Sequence, residues 1–185
     1  MKKILALFLL LCVPLTCISC AQTLPAPTVG PAVALPSWPP EITDGASEIL
    51  TSMLSPANGY LLKKGYPAMG LMQSTLYRTT DGQSWTPVRE VHDDVHNYPR
   101  TLYFWNENDG VILTNYHGYD ACVYLTRDGG MNWEPIPIDP EGVPAGYSYL
   151  EGERAWTEGG TLMLELSAHY EDLEPATFST AADIP

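Results

Sequence analysis

Cysteine is scarce where it would matter. The chain has four, and three of them (Cys12, Cys17 and Cys20) fall in the first twenty residues. Only Cys122 stands beyond, so no intramolecular disulfide framework is available. Its apolar setting, "ACVYL", reads as that of a buried small hydrophobe rather than a reactive thiol. Positive charge is scarce too. Nine Lys and Arg face 22 Asp and Glu, a formal net charge of −13, and two of the nine are Lys2 and Lys3. Such a surface repels nucleic acid and anionic headgroups. No Gly-rich phosphate loop, paired-Cys motif or nucleophile elbow occurs, so no cofactor and no resident metal are expected. The one long apolar run spans Ile4 to Leu15. What is plentiful is turn and aromatic chemistry: 17 Pro, 15 Gly, 11 Tyr and five Trp in 185 residues. This composition favours strands and turns over disorder.

The apolar run follows two lysines and ends in small residues, the pattern of a secretory signal too short for a comfortable membrane span. "ISC" at its end resembles the bacterial lipobox, with Cys17 where Leu is usual. The resemblance implies lipidation of Cys20 and a chain anchored on the extracellular face of the bacterial membrane, touching the membrane through the lipid alone. Cleavage after Ala21, giving a secreted protein, is the alternative. Residues 21–40 hold six prolines and no charge. They read as a semi-rigid tether reaching on the order of 60 Å at about 3.1 Å per residue. Residues 41–56 fit a short helix or a strand equally. The organisation expected is therefore signal (1–20), tether and ambiguous segment (21–54), and β domain (55–185).

Within that domain one unit recurs. "SPANGYLL" (55–62), "NENDGVIL" (106–113) and "TEGGTLML" (157–164) are polar turns entering apolar strands. Each is followed by a further strand: 74–82, 121–130 and 176–183. The first two copies then turn into "SWTPV" (84–88) and "NWEPIPI" (132–138). A repeat of about 50 residues suits a four-stranded antiparallel blade. In the middle copy the strands read as 101–105, 110–116, 121–127 and 132–138. Pro135 and Pro137 place the fourth at an outer edge. The third copy reads as ending after its third strand. The fold class expected is all-β, with about two and a half to three propeller-like blades and an open or incomplete ring.

"TRDGGMNW" (126–133) resembles the Asp-box, or BNR repeat, of sialidases and other β-propellers. Thr126, Asp128, Gly130 and Trp133 fill its marked positions, and Asn132 replaces the usual Thr. "TTDGQSW" (79–85) is a variant one residue shorter, with Thr79, Asp81, Gly82, Ser84 and Trp85. In the family the box lies at the blade periphery, which implies a structural hairpin staple. Gly supplies the tight turn, the Asp carboxylate accepts turn N–H groups, and the Trp packs across the hairpin. The sialidase catalytic set does not carry over. There is no Arg-Ile-Pro motif, and only five arginines lie beyond the signal (Arg78, Arg89, Arg100, Arg127, Arg154). Photosystem-assembly propellers carry similar boxes and act as assembly factors, but nothing else here points to photosynthesis.

Two sets of residues are candidates for ligand contact. His92 and His96, four apart in "REVHDDVHNYPR" (89–100), could share a ligand or metal on a helix. Between two prolines they read instead as a solvated connection between blades. Tyr66, Tyr119 and Tyr170 recur in equivalent loops, as a stacking platform for a glycan or as rim packing. No catalytic residue is assigned. The expected role is a surface-tethered, non-enzymatic binding or scaffold protein with a glycan or protein ligand, self-association being one route to a closed ring. The alternative is a sialidase-like glycoside hydrolase remnant, or an enzyme assembled by oligomerisation.

Overall fold

A computed structural model describes residues 38–68, 71–115, 122–138 and 145–182. The signal segment, Cys20, most of the tether and Tyr119 lie outside the described residues. A one-turn helix, α1 (Pro40–Thr43), precedes three antiparallel sheets. The first comprises β1 (Glu48–Met53), β2 (Gly59–Ala68), β3 (Leu71–Thr79) and β4 (Thr86–Glu90), in that order. The second comprises β5 (Tyr98–Phe104), β6 (Gly110–Asn115), β7 (Val123–Thr126) and β8 (Glu134–Pro135), ordered likewise. The third has β9 (Tyr149–Glu158), β10 (Thr161–His169) and β11 (Ala176–Ala181), again in sequence order. The chain is thus all-β and antiparallel among its described residues. The segment left open between helix and strand contains both. The first sheet starts at Glu48, ahead of the 55 marked by the repeats.

The repeat is physical as well as textual. In the turn into β2, Leu54 N–H donates to Asn58 O, and Asn58 N–H to the Ser55 hydroxyl. In the turn into β6, Trp105 N–H donates to Asp109 O, and Asp109 N–H to Asn106 Oδ1. A side-chain oxygen at the first turn position closes both, the use to which Ser and Asn are suited in turns.

The sheets stack face to face. Tyr60, Leu62 and Leu76 of the first meet Leu102, Phe104, Ile112, Tyr124 and Trp133 of the second. Tyr60 and Phe104 stack at 3.7 Å between ring centroids. The opposite face of the second sheet, with Val111, Leu113, Val123 and Leu125, packs on Ala155, Leu162, Leu164 and Leu166 of the third. Period-two alternation on strands buried on both faces explains why β6 and β7 read as continuous apolar runs. The first strands are tied together. Ser52 accepts from Phe104 N–H at 2.8 Å, and Thr101 donates to Glu153 O at 2.8 Å.

The two ends of the row differ. On the far face of the first sheet, Leu61 and Ile42 are fully buried, and Lys63 donates to Glu41 O of α1. Trp38 sits edge-on to Trp85 at 5.3 Å. The short helix therefore covers a face that neighbouring sheets cover elsewhere. The far face of the third sheet is mixed. Thr161, Glu165 and Ser167, with Met163 among them, alternate with the buried leucines, and Arg154 lies 4.7 Å over the Trp156 ring while pairing with Glu165.

Several strand boundaries differ from the sequence reading. The fourth strand of the second copy is two residues long instead of 132–138, extended among the described residues by an Ile136 N–H to Val123 O bond. Pro135 and Pro137, on either side of Ile136, each remove a donor. The loop expected around Tyr66 is a hairpin arm, because β2 and β3 pair out to Ala68 and Leu71 past a bulge between Lys64 and Pro67.

Candidate functional site

Each of the two Asp-containing turns is closed by its own side chains and backbone. In the second, Thr126 Oγ1 accepts from Gly130 N–H (2.9 Å) and donates to Asp128 Oδ1 (3.0 Å). Asp128 accepts Asn132 N–H at 2.9 Å and the Asn132 amide at 2.6 Å. Asn132, the departure from the family pattern, thus supplies a side-chain donor of its own. The Trp133 indole donates to Gly130 O at 3.1 Å and meets Phe104 edge-on at 6.0 Å. In the first box Gly82 N–H reaches Thr79, while Gln83 and Ser84 N–H both reach Asp81 Oδ1. The shorter box uses one left-handed glycine, Gly82, where the longer uses Gly129 and Gly130. Trp85 is only half-buried, against Trp38.

The N–H groups of Ser84 and Gln83, with the Ser84 and Thr79 hydroxyls, hold the Asp81 carboxyl down at about 2. Burial pushes Asp128 upward, but the Asn132 side chain and N–H, with Thr126 and Met131, outweigh it and its carboxyl ends below the usual range. A depressed carboxylate stabilises the fold above its unfolded pKa of about 3.9 and loses that contribution as pH falls toward the folded value. Acid unfolding followed by tryptophan fluorescence should therefore steepen below about pH 4. Asp81→Asn combined with Asp128→Asn should flatten that limb; an unchanged limb would contradict the assignment. At neutral pH Asp128→Ala should cost about 1 kcal/mol, since water can reach the orphaned donors of this exposed turn.

The histidines sit on an anchored turn, not a solvated loop. Asp94 and Val95 N–H both donate to Val91 O, and Val91 and Val95 are buried in the first inter-sheet core. Asn97 is buried with φ of 71°. His92 lies 3.7 Å from Glu90 and 3.8 Å from Asp93, contacts that are charged only when the ring is protonated. No three His, Cys, Asp or Glu among the described residues are grouped to hold a metal ion. Tyr66 is 72% exposed on the hairpin arm of the first sheet, and Tyr170 is half-buried after β10 in the third. Cys122 is buried, and burial pushes its thiol up to about 12, leaving it inert at neutral pH.

The densest polar constellation was not legible in the sequence. Arg100, on β5, reaches Glu151 at 3.3 Å and Glu153 at 3.2 Å, both on β9. Glu151 also lies 3.2 Å from His169 Nε2 at the end of β10, and His169 stacks on Tyr149 at 4.5 Å with rings 9° apart. Ser167 donates to Glu153. One guanidinium, two carboxylates, an imidazole and a phenol ring thus meet where the second and third sheets adjoin, and Arg100 keeps 43% of its side chain exposed. Such a set can bind hydroxyl or amine groups and stack a planar or pyranose face. The signal that could have found it is the repeat itself. A first strand is due some eleven residues ahead of Gly160, as β1 and β5 precede Gly59 and Gly110.

No protein-family model matches the chain, and no curated protein matches it. A solved structure described as "YCF48 bound to D1 peptide" is similar to it with a TM-score of 0.36 and 16% identity, over 71% of this chain and 54% of that one. The chain therefore spans about half the length of that protein.

Proposed function

We propose that the chain is a surface-tethered, non-enzymatic binding or scaffold protein, built of three blades of an incomplete propeller and carrying a glycan or protein ligand at the Arg100 cluster. One observation carries the reading: Arg100 pairs with Glu151 and Glu153 across two sheets, and His169 lies 3.2 Å from Glu151 beside the Tyr149 ring, a contact that is charged only when the imidazole is protonated. Paired charges on a rigid edge favour recognition. Hydrolysis by a retaining mechanism would need one carboxyl free as nucleophile and a second about 5–5.5 Å away as acid, whereas Glu151 and Glu153 share one guanidinium. The box carboxylates are engaged by their own turns. A lipid at Cys20 and the Pro-rich tether would hold the sheets off a bacterial membrane.

The test is a glycan array run beside a fluorogenic sialoside assay, on protein lacking residues 1–20. Binding without turnover is expected, weakened about tenfold or more in Tyr149→Ala and in Arg100→Ala. Turnover that Glu151→Gln or Glu153→Gln abolishes would replace this reading with the glycosidase one.

A further inference from the structure

The third sheet lacks, among the described residues, the fourth strand that the other two carry. In those sheets the third strand is covered on its outer side, β3 by β4 and β7 by β8. In the third sheet β11 is itself the outer edge. Which of its backbone groups are free follows from the ladder. Ala182 N–H donates to Leu162 O, and the register pairs Thr180 with Leu164, Phe178 with Leu166 and Ala176 with Ala168. Hydrogen-bonded pairs alternate along an antiparallel ladder, so these residues aim their N–H and C=O groups at β10. Thr177, Ser179 and Ala181 aim theirs outward. All three are exposed, and among the described residues the contact to an outward group of this edge is a long one, 3.4 Å, from the Thr180 hydroxyl to Ala181 O.

Edges that must stay unpaired carry charge or proline. β4 has Pro87, Arg89 and Glu90, and β8 has Glu134 and Pro135. The β11 sequence "ATFSTA" has neither. Directly before it stand Glu171, Asp172 and Glu174, all exposed, on a chain of net charge −13. The chain's own tether is a poor occupant, because its prolines interrupt any run of donors. A second copy would bring another net charge of −13 against this one.

We infer that the β11 edge is a docking site for an extended, cationic segment of a partner polypeptide, which adds as the fourth strand of the third sheet. Main-chain bonds to Thr177, Ser179 and Ala181 give the affinity, and the acidic flank selects the partner's charge. The site uses main-chain groups of β11 and none of the Arg100 cluster's charged side chains, although the Thr177 hydroxyl lies 3.3 Å from that of Ser167, which donates to Glu153.

The probe is a capped seven-residue peptide alternating lysine with valine, added to the full chain. Amide hydrogen exchange at Thr177, Ser179 and Ala181 should slow about tenfold or more with it. An acidic counterpart alternating glutamate with valine should give no protection, nor should the lysine peptide N-methylated at alternate residues. Ser179→Pro removes an outward N–H without touching the β10 ladder and should abolish protection. Ser179→Lys keeps the N–H and should weaken the cationic peptide by charge, with thermal unfolding showing that each variant is folded. Arg100→Ala should leave the protection unchanged. Failure of the lysine peptide to protect, equal protection by the N-methylated or acidic peptide, or full binding to folded Ser179→Pro would overturn the inference. So would protection already present without peptide, whether in a monomer or in a dimer of this chain.

Discussion

Trp133→Ala should lower stability by about 3–5 kcal/mol, the usual cost of emptying a buried aromatic site. The ring is 5% exposed, meets Phe104 edge-on and anchors the indole N–H on Gly130 O. Its box also docks on the first sheet. Arg89 donates to Met131 O, and a Cβ on Gly130 would stand 2.1 Å from Leu76 Cδ2. Losing the ring therefore loosens both the hairpin and the contact between two sheets. A fall in Tm on the order of 10 °C is expected by calorimetry. Trp85→Ala should cost clearly less, about 1–2 kcal/mol, because that ring is half-exposed and packs on Trp38 alone among its aromatic neighbours. Equal losses would contradict the difference in burial. Full stability of both variants with loss of a ligand would make the boxes recognition elements instead of staples.

That contrast marks what the sequence could and could not say. The repeat was readable because its turns need particular residues. Ser55 and Asn106 close hairpins with their side chains, accepting from the N–H groups of Asn58 and Asp109, and left-handed glycines stand in both boxes. Strands buried on both faces, such as β6, announced themselves as apolar runs. The strands that went unread or were misplaced are those whose burial is one-sided or whose partners are distant in sequence. β9, "YLEGERAWTE", places Glu151 and Glu153 in a strand because Arg100, some fifty residues earlier, neutralises them. Its polar letters look like a loop until that partner is known. β1 was ambiguous for a related reason: it has only Leu50 and Ser52 facing the neighbouring sheet, and Ser52 is buried because it bonds the backbone of Phe104. The histidine pair was misleading in the opposite direction. Four-residue spacing was real, but it belongs to Val91 and Val95, which turn the chain into the core and leave His92 and His96 half-buried beside them.

A close approach between the second and third sheets makes the second large effect. Gly152 lies on β9 beside the bulge at Glu165 and Leu166, where the third sheet presses on the second. A Cβ there would stand 2.3 Å from Leu113 Cβ and 3.1 Å from Leu113 Cα. Leu113 is fully buried in the inter-sheet core, and the atoms in the way belong to its backbone and first carbon, which no rotamer change can move. Relief requires the two sheets to part, which strips contacts from Leu164 and Leu166 as well. Gly152→Ala should therefore destabilise by about 3 kcal/mol, the upper end of what overpacking costs, although no unusual backbone angle is involved. Gly159→Ala is the control. It sits at φ of 58° with nothing within 4 Å of the added carbon, so only the left-handed strain applies, about 1 kcal/mol. Urea unfolding of the two variants should rank them in that order. A Gly152→Ala midpoint no lower than that of Gly159→Ala would mean that the second and third sheets are not pressed together at Leu113. The Arg100–Glu151–Glu153 cluster, which spans the same two sheets, would then lose the support that holds its side chains in register.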